Sequence, residues 1–454
     1  MLKTVSGPLL GPAMLAGAAS SSGFTTSVLD LNAEFLLSRL PAKSLVSTPF
    51  IGDHDKPEAA LDVVFHQFSK FLPGGVSRNS FLRAEVRGSL LEATVSSLVE
   101  SHYGKWIESR IRQFNVPGFV GLSLLHAGQV LWGLAAATIA KRIWPGIHVI
   151  AGGSHITALS SKISSNSSYG RLIDGFVSGY AEDTFVDLLR ASREGSSWPA
   201  QVFTAGSMLS QRAKENLSSL PVYPSFHPIP WPRPTLPVQA SRGCSYGKCS
   251  FCTYSAIEGA YREIPTPVIE HSINLAKRTG SSLSFKDSYL TMRRLRLVAS
   301  LIGGDVEWSA VTKIPVHSDS ADLSLLFESG CRTLEVGLET LDPVGQKIIR
   351  KETSIDSLES FVEHARNSGI HLVVNVMTGL PGVEESADLY YIEKVKQILS
   401  QYGTQYKIEG HDFEVSILSA MACEQRYVRL LSNWPWSAVA RHKNLPVPPL
   451  LPAL

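Results

Sequence analysis

Apolar positions along this chain recur at two periods, and the periods alternate. Pro12–Ser22 carries them at helical spacing, and Ser27–Leu31 reads as a buried strand. From Ser89 to Phe114, Leu91, Val95, Leu98, Ile107 and Ile111 again keep a helical period. Gly118–Leu124 reads as a fully buried strand, Gln129–Ile143 as an Ala-rich helix, and His148–Gly153 as a strand ending in two glycines. Gly175–Gly179 predicts a further short strand and Ala181–Ser192 a helix. Strands alternating with helices in this way predict a parallel sheet with helices on both faces, a doubly wound α/β domain over residues 1–204.

Residues 205–237 break the pattern. Seven prolines fall between Pro221 and Pro237, a density that predicts a semi-rigid extended linker. A Pro-rich partner motif is the rival reading. From Val238 the alternation resumes, with strands predicted at Val238–Ser241, Ser282–Lys286, Val306–Val311, Thr333–Leu338, His371–Val376 and Phe413–Leu418. Helices are predicted between them, at Pro267–Arg278, Ser320–Ser329 and Ser357–Ser368. These β-α units suit a partial (β/α)6 barrel over residues 238–420, followed by a short tail, 421–454. Barrel chemistry sits at strand C-ends. Here those ends are Lys286-Asp287, Thr312, Glu339-Thr340 and Thr378–Gly382.

Composition narrows the function by exclusion. The 454 residues are 44% hydrophobic and 18% charged, with a net charge of +2, which gives no electrostatic case for nucleic acid. No uninterrupted apolar run is long enough for a membrane span. Leu9–Ala19 is apolar, and a secretory signal competes there, but Gly11, Pro12 and Gly17 interrupt the run and a predicted strand follows.

The candidate chemistry lies in one short window. Arg242-Gly243-Cys244-Ser245-Tyr246-Gly247-Lys248-Cys249-Ser250-Phe251-Cys252 holds three of the chain's 5 cysteines. Three thiolates on one loop can hold three irons of a [4Fe–4S] cluster and leave the fourth iron open. Zinc would want a fourth ligand, and the following sixty or so residues offer only His271. Zinc and structural thiols remain as alternatives, whereas three clustered cysteines cannot all pair as disulfides. An oxygen-sensitive cluster favours the reducing cytoplasm. Cys331 and Cys423 read as buried apolar fillers, with Cys423 following the last predicted strand.

The window resembles the radical S-adenosylmethionine enzymes, and its Arg-Gly-Cys, internal Tyr-Gly and Phe251 resemble their cobalamin-binding branch. The usual C-x3-C-x2-C is here C-x4-C-x2-C, one residue longer in the first gap. The resemblance extends to Gly337-Leu338-Glu339-Thr340 with Lys351, to Gly379-Leu380-Pro381-Gly382, and to Asp287 after the second barrel strand. It implies that Phe251, Asp287, Glu339, Gly379 and Leu380 lie at the S-adenosylmethionine site. The residues by themselves also allow a Glu339 salt bridge with Lys351 or Arg350, a plain turn at Gly379–Gly382, and a helix N-cap at Asp287. In the first domain, Ser123 with Leu125 fits an S-x-L element and Gly152-Gly153 a G-G element of cobalamin domains. There the resemblance implies a pocket for the cofactor tail. Pro8–Ala13, Asp30-Leu31-Asn32 and Gly179–Glu182 are similar to the same branch. No D-x-H-x-x-G is present, so a histidine ligand to cobalt is not expected, and the same absence leaves open a degenerate domain that no longer binds cobalamin.

The expected architecture is therefore a Rossmann-like cobalamin-type domain followed by a radical S-adenosylmethionine barrel. The expected reaction is methylation of an unactivated carbon in a peptide or small natural product. An external electron donor such as flavodoxin or ferredoxin is implied. Two other readings stay open: a radical rearrangement, cyclisation or oxidation without methyl transfer, and a non-catalytic electron-transfer protein.

Overall fold

Four short strands organise the first half of the computed structural model, which describes residues 8–31, 34, 72–223, 235–401, 405–423 and 435–441. They are β1 (Val120–Ser123), β2 (Val149–Gly152), β3 (Gly175–Val177) and β4 (Val202–Phe203), hydrogen-bonded in that order. The first three run parallel and β4 is antiparallel to β3. Val149, Ile150 and Ala151 are all buried, which explains a continuous apolar run where an exposed sheet would alternate. The Leu10–Ser21 helix packs along Glu182–Glu194, while Gly88–Glu100 and His102–Ile111 pack on Val130–Ile143. Glu182–Glu194 starts with two acids, ends with Arg193 and stops at Gly195 with φ +66°, so each end agrees with the helix dipole and the left-handed cap. The helical period over 89–114 is two helices, because Ser101 leaves the first in extended geometry and its hydroxyl accepts Gly104 N at 3.2 Å.

Two expectations for this half change. The strand expected at Ser27–Leu31 does not form: residues 27–30 are irregular and pair with no strand among the described residues. Asn32, most of the Pro-rich segment (224–234) and Trp434 lie outside the described residues. The second change is at the C-terminal end. Residues 435–439 belong to the same compact unit as residues 8–223, not to a separate tail. Three side chains hold this segment by consecutive carbonyls. The Tyr169 hydroxyl donates to Pro435 O, His155 Nε2 to Trp436 O at 2.8 Å, and Lys162 Nζ to Ser437 O at 3.0 Å. Trp436 is buried and meets Tyr169 edge-on at 4.7 Å.

That attachment makes the unit acid-sensitive. A carbonyl only accepts, so His155 carries its proton on Nε2. Burial pushes its pKa down to about 4, opposed by the Trp436 hydrogen bond and helped by Lys162. The folded value lies below the ordinary 6.5, so protons bind the unfolded chain first. The contribution is complete above about pH 6.5 and is lost as pH falls towards 4, on the order of 3 kcal/mol. Thermal melts across that window should show the loss, and His155→Gln, which keeps a donor for the carbonyl but cannot titrate, should flatten the slope.

Among the described residues, the second unit takes in 235–401, 405–423 and 440–441. Its sheet joins β5 (Thr235–Val238), β8 (Ser282–Phe285), β9 (Trp308–Thr312), β10 (Cys331–Glu339), β11 (His371–Thr378) and β12 (Tyr406–Asp412) in sequential order. Every pairing is parallel, as a partial (β/α)6 barrel requires. A two-stranded antiparallel ribbon, β6 (Ser241–Arg242) with β7 (Arg262–Glu263), frames the cysteine loop. On β10, Leu334, Val336 and Leu338 are fully buried, leaving Glu335, Gly337 and Glu339 on the opposite face. The first barrel strand begins inside the expected linker, at Thr235. The sixth is Tyr406–Asp412, not Phe413–Leu418, where Glu414–Ser416 forms β13 outside this sheet. No helix among the described residues is long and apolar enough to cross a membrane.

Candidate active site

Two backbone positions open the cysteine loop. Gly243 has φ +77°, and a Cβ there would stand 2.6 Å from Ala260 O; Gly247 has φ +58°. Only glycine takes both positions without strain. Gly243 N donates to Glu258 Oε2 at 2.7 Å, and Gly247 N points at Cys244 Sγ at 3.5 Å. The loop is then tied to the end of the Pro343–Ile349 helix. Ser250 N donates to Ile349 O at 3.0 Å, Ser250 Oγ to Ile348 O at 2.7 Å, and the Tyr246 hydroxyl to Arg350 O at 2.9 Å. Lys313 Nζ lies 3.8 Å from the centre of the Tyr246 ring.

The base of the loop is anchored by two buried charges. Asp287 accepts Ala240 N at 3.1 Å, Ser241 N at 2.5 Å and Ser241 Oγ at 2.7 Å. Arg294, 3% exposed, donates Nε to Ala240 O at 3.0 Å and also reaches Ile264 O. Burial pushes the Asp287 carboxyl up to about 6, against the hydrogen bonds from Ser241 and Ala240. Asp287 is thus committed to the chain just before Cys244. It caps no helix: the next one starts at Met292 with Thr291 as its cap.

Glu339 stands at the other wall. It has φ +70°, a strained position for a non-glycine residue, and the β10–β11 register slips between Gly337 and Glu339. Its Oε1 accepts Lys351 Nζ at 2.9 Å, with side-chain exposures of only 14% and 10%. Gly337 makes room for this pair, since a Cβ there would lie 2.5 Å from Glu339 Oε1 and 2.7 Å from Lys351 Nζ. Gly337→Ala should therefore displace the pair and lower the melting temperature, whereas the same change at exposed Gly410, where a Cβ meets nothing within 4 Å, should be nearly silent. Burial raises Cys249 to about 11, and raises Cys252. Lys351 and Glu339 act on both thiols, as does Cys244. The three cysteines, Glu339 and Lys351 therefore share one electrostatic site.

The fit to a cluster follows from the donor set. Cys244, Cys249, Cys252 and Cys331 are free, and among the described residues no group of three or more His, Cys, Asp or Glu converges on a single ion. A cluster asks for less convergence, because each thiolate binds a different iron. Bound iron would also offset the burial that opposes the thiolates. Phe251 is half-buried between Cys249 and Cys252. Gly379, φ +72°, donates its N–H to Asp388 Oδ2 at 2.7 Å. Leu380 is placed differently from the cofactor contact expected of it: it is 2% exposed, and a Cβ on Gly345 would stand 3.1 Å from its Cδ1, so its side chain packs under the helix. Arg294, Glu258 and Lys313 were not legible as site residues. Arg294 in particular sits in a basic run that reads as a solvated helix face.

In the first unit, the strand C-ends meet in the manner of a nucleotide-type crevice. Leu124 N donates to Gly152 O at 2.9 Å and His155 N to Leu124 O at 3.1 Å. Gly153, φ +102°, allows the contact, as a Cβ there would lie 2.5 Å from Leu124 O. It opens the Ser154–Ser164 helix without a side-chain cap, so that helix keeps N–H groups at the strand ends. Ser123 faces Gly11, whose Cβ would lie 3.9 Å from Ser123 Oγ. Leu125 is exposed at 39%, its N–H donating to Gln129 Oε1 at 2.6 Å and its carbonyl accepting Ser154 Oγ at 2.8 Å. Glycines at parallel strand ends, with an uncapped helix start and an exposed apolar side chain, fit the tail of a large organic cofactor.

Residues 238–390 match the model of the Radical SAM superfamily. The matched segment is a radical SAM domain, a kind that works with a [4Fe–4S] cluster and S-adenosylmethionine. The fold of the chain is similar to that of TsrM, a radical S-adenosylmethionine methyltransferase from Kitasatospora setae. The TM-score is 0.58 at 15% identity, over 74% of this chain and 69% of that one. It is similar also to OxsB, a cobalamin-dependent S-adenosylmethionine radical enzyme, with TM-score 0.52 and 13% identity over 78% of this chain and 58% of that one. In sequence it is 22% identical over 330 residues to an uncharacterized methyltransferase of Pyrococcus horikoshii, 66% of this chain and 69% of the relative. A 117-residue stretch is 30% identical to a bacteriochlorophyllide d C-12(1)-methyltransferase of Chlorobaculum tepidum, a quarter of that protein.

Proposed function

We propose that this chain is a cobalamin-dependent radical S-adenosylmethionine C-methyltransferase acting on an unactivated carbon of a peptide or small natural product. The observation that carries the reading is the shared site of Cys244, Cys249, Cys252 and the Glu339–Lys351 pair, in a chain whose first unit offers the glycine-lined strand ends. The methyltransferase names of the relatives support the transfer, and the likeness to TsrM and OxsB supports the cofactor. When bound, S-adenosylmethionine on the cluster supplies a carbon radical and a methyl source, and cobalamin supplies the methyl carrier.

The chain's own residues bind and orient. Cys244, Cys249 and Cys252 hold the cluster, and the Gly247 N–H stabilises the Cys244 thiolate. Glu339 accepts from a ribose hydroxyl or the ammonium group of S-adenosylmethionine, with Lys351 fixing its carboxylate. Ser123, Leu125, Gly152 and Gly153 line the cobalamin tail. An external reductant supplies the electron.

Anaerobically reconstituted protein with hydroxocobalamin, a strong reductant and methyl-labelled S-adenosylmethionine tests this. We expect 5′-deoxyadenosine, S-adenosylhomocysteine, and retained cobalamin whose cobalt(II) signal lacks nitrogen splitting. Radical product without S-adenosylhomocysteine would move the reading to a rearrangement or oxidation, and no 5′-deoxyadenosine would leave electron transfer.

A further inference from the structure

The face of β10–β12 that carries Glu335 is polar where a barrel interior is ordinarily filled with Val, Ile and Leu. Register sets which residues share that face. Glu335 pairs with Val373 and Val373 with Lys407; one step up, Gly337 pairs with Asn375 and Asn375 with Glu409. Neighbours in a parallel ladder point the same way. Asn375 Nδ2 donates to Glu335 Oε1 at 2.8 Å, and Lys407 Nζ to Glu409 Oε1 at 2.8 Å. Glu339 lies on the same face of β10, and its partner Lys351 follows Arg350, whose carbonyl accepts the Tyr246 hydroxyl, so this face looks towards the cluster loop.

One atom is left over. Asn375 Oδ1 is buried and has no donor among the described residues. Turning the amide round does not help, because it would set the oxygen against the Glu335 carboxylate. The oxygen therefore waits for a donor, beside a carboxylate that can share it. Two carboxylates and this carbonyl share the face with the ammonium of Lys407 and with the His411 ring, whose Nε2 is 4.0 Å from Glu409 Oε2.

We propose that Glu335 and Asn375, with Glu409 on the next strand, form a substrate subsite that binds a primary ammonium group. The inference rests on the proposed function in taking this face as the substrate side. It adds the chemistry recognised there: a cationic donor, held by Glu335 and Asn375 Oδ1, on the strand face that also carries Glu339. Lys407 holds Glu409 in place through the Nζ–Oε1 contact, and acts as a positioning residue.

Three fragments of one shape test it on the full chain: phenethylammonium, 2-phenylethanol and phenylacetate, read by saturation-transfer NMR titration. Phenethylammonium is expected to bind best. Glu335→Gln and Asn375→Leu are each expected to weaken it at least about tenfold while leaving 2-phenylethanol within about twofold. Melting temperature and iron–sulfur absorbance check that each variant is folded. If Asn375→Leu does not fold, Asn375→Ser replaces it. An ammonium fragment that binds no better than the alcohol, or that binds both variants as it binds the wild type, overturns the proposal. Fragment binding needs no radical and no methyl transfer. Wild-type protein that binds the ammonium but makes no S-adenosylhomocysteine would sink the proposed function alone.

Discussion

Replacing Cys244, Cys249 and Cys252 together by Ala removes the iron–sulfur absorbance and takes S-adenosylmethionine cleavage to background. Reconstituted wild type should hold about four irons per chain, one of them without a protein ligand. The triple variant should hold none, with little loss of fold. The three side chains are only partly buried, and the loop is held by other groups: Ser250 on Ile348 and Ile349, Tyr246 on Arg350, Asp287 and Arg294 on Ala240. Iron analysis, absorbance and 5′-deoxyadenosine on one preparation decide it. Cleavage that survives in the triple variant would falsify the assignment of the cluster to this loop.

The cysteine loop was legible because three ligands on nine residues are a local signal. So were the β-α units, whose apolar runs and capping glycines lie within each segment. What failed to show was non-local or masked by charge. Tyr406–Asp412 alternates Lys407, Glu409 and His411 with Tyr406, Ile408 and Gly410, so its buried face is thin and the apolar Phe413–Leu418 reads as the better strand. As an edge strand it needs only one covered neighbour. The first barrel strand hid behind Pro237, which an edge strand tolerates and a central one does not.

Distance in sequence concealed the supporting residues. Asp287 meets Ala240 and Ser241 across 47 and 46 positions, and no local pattern tells that carboxylate from a cap. His155 meets Trp436 across 281 positions. Glu339 and Lys351 are 12 apart, close enough for the pair to be read from the sequence, but not its burial. That burial changes what a substitution there measures.

Glu339→Gln should weaken S-adenosylmethionine binding roughly 10- to 150-fold, the loss of one charge-assisted hydrogen bond of about 1.5–3 kcal/mol. It should also lower stability by more than the roughly 0–1 kcal/mol typical of a surface pair, because it strands Lys351 in a poorly solvated position. The two effects separate in a cycle. Lys351→Met removes the stranded charge, so Glu339→Gln combined with Lys351→Met should regain most of the lost melting temperature. It should not regain the lost affinity, since the carboxylate that meets the cofactor is still gone. The position adds a second reason to expect this pattern: at φ +70° Glu339 is held in strain, which the fold has no need to keep for an ion pair alone. Affinity by equilibrium dialysis and melting temperature should be read on all three variants. Affinity that returns together with stability in the double variant would place Glu339 in the scaffold of the site, and contact with the cofactor would have to be sought elsewhere on the strand ends.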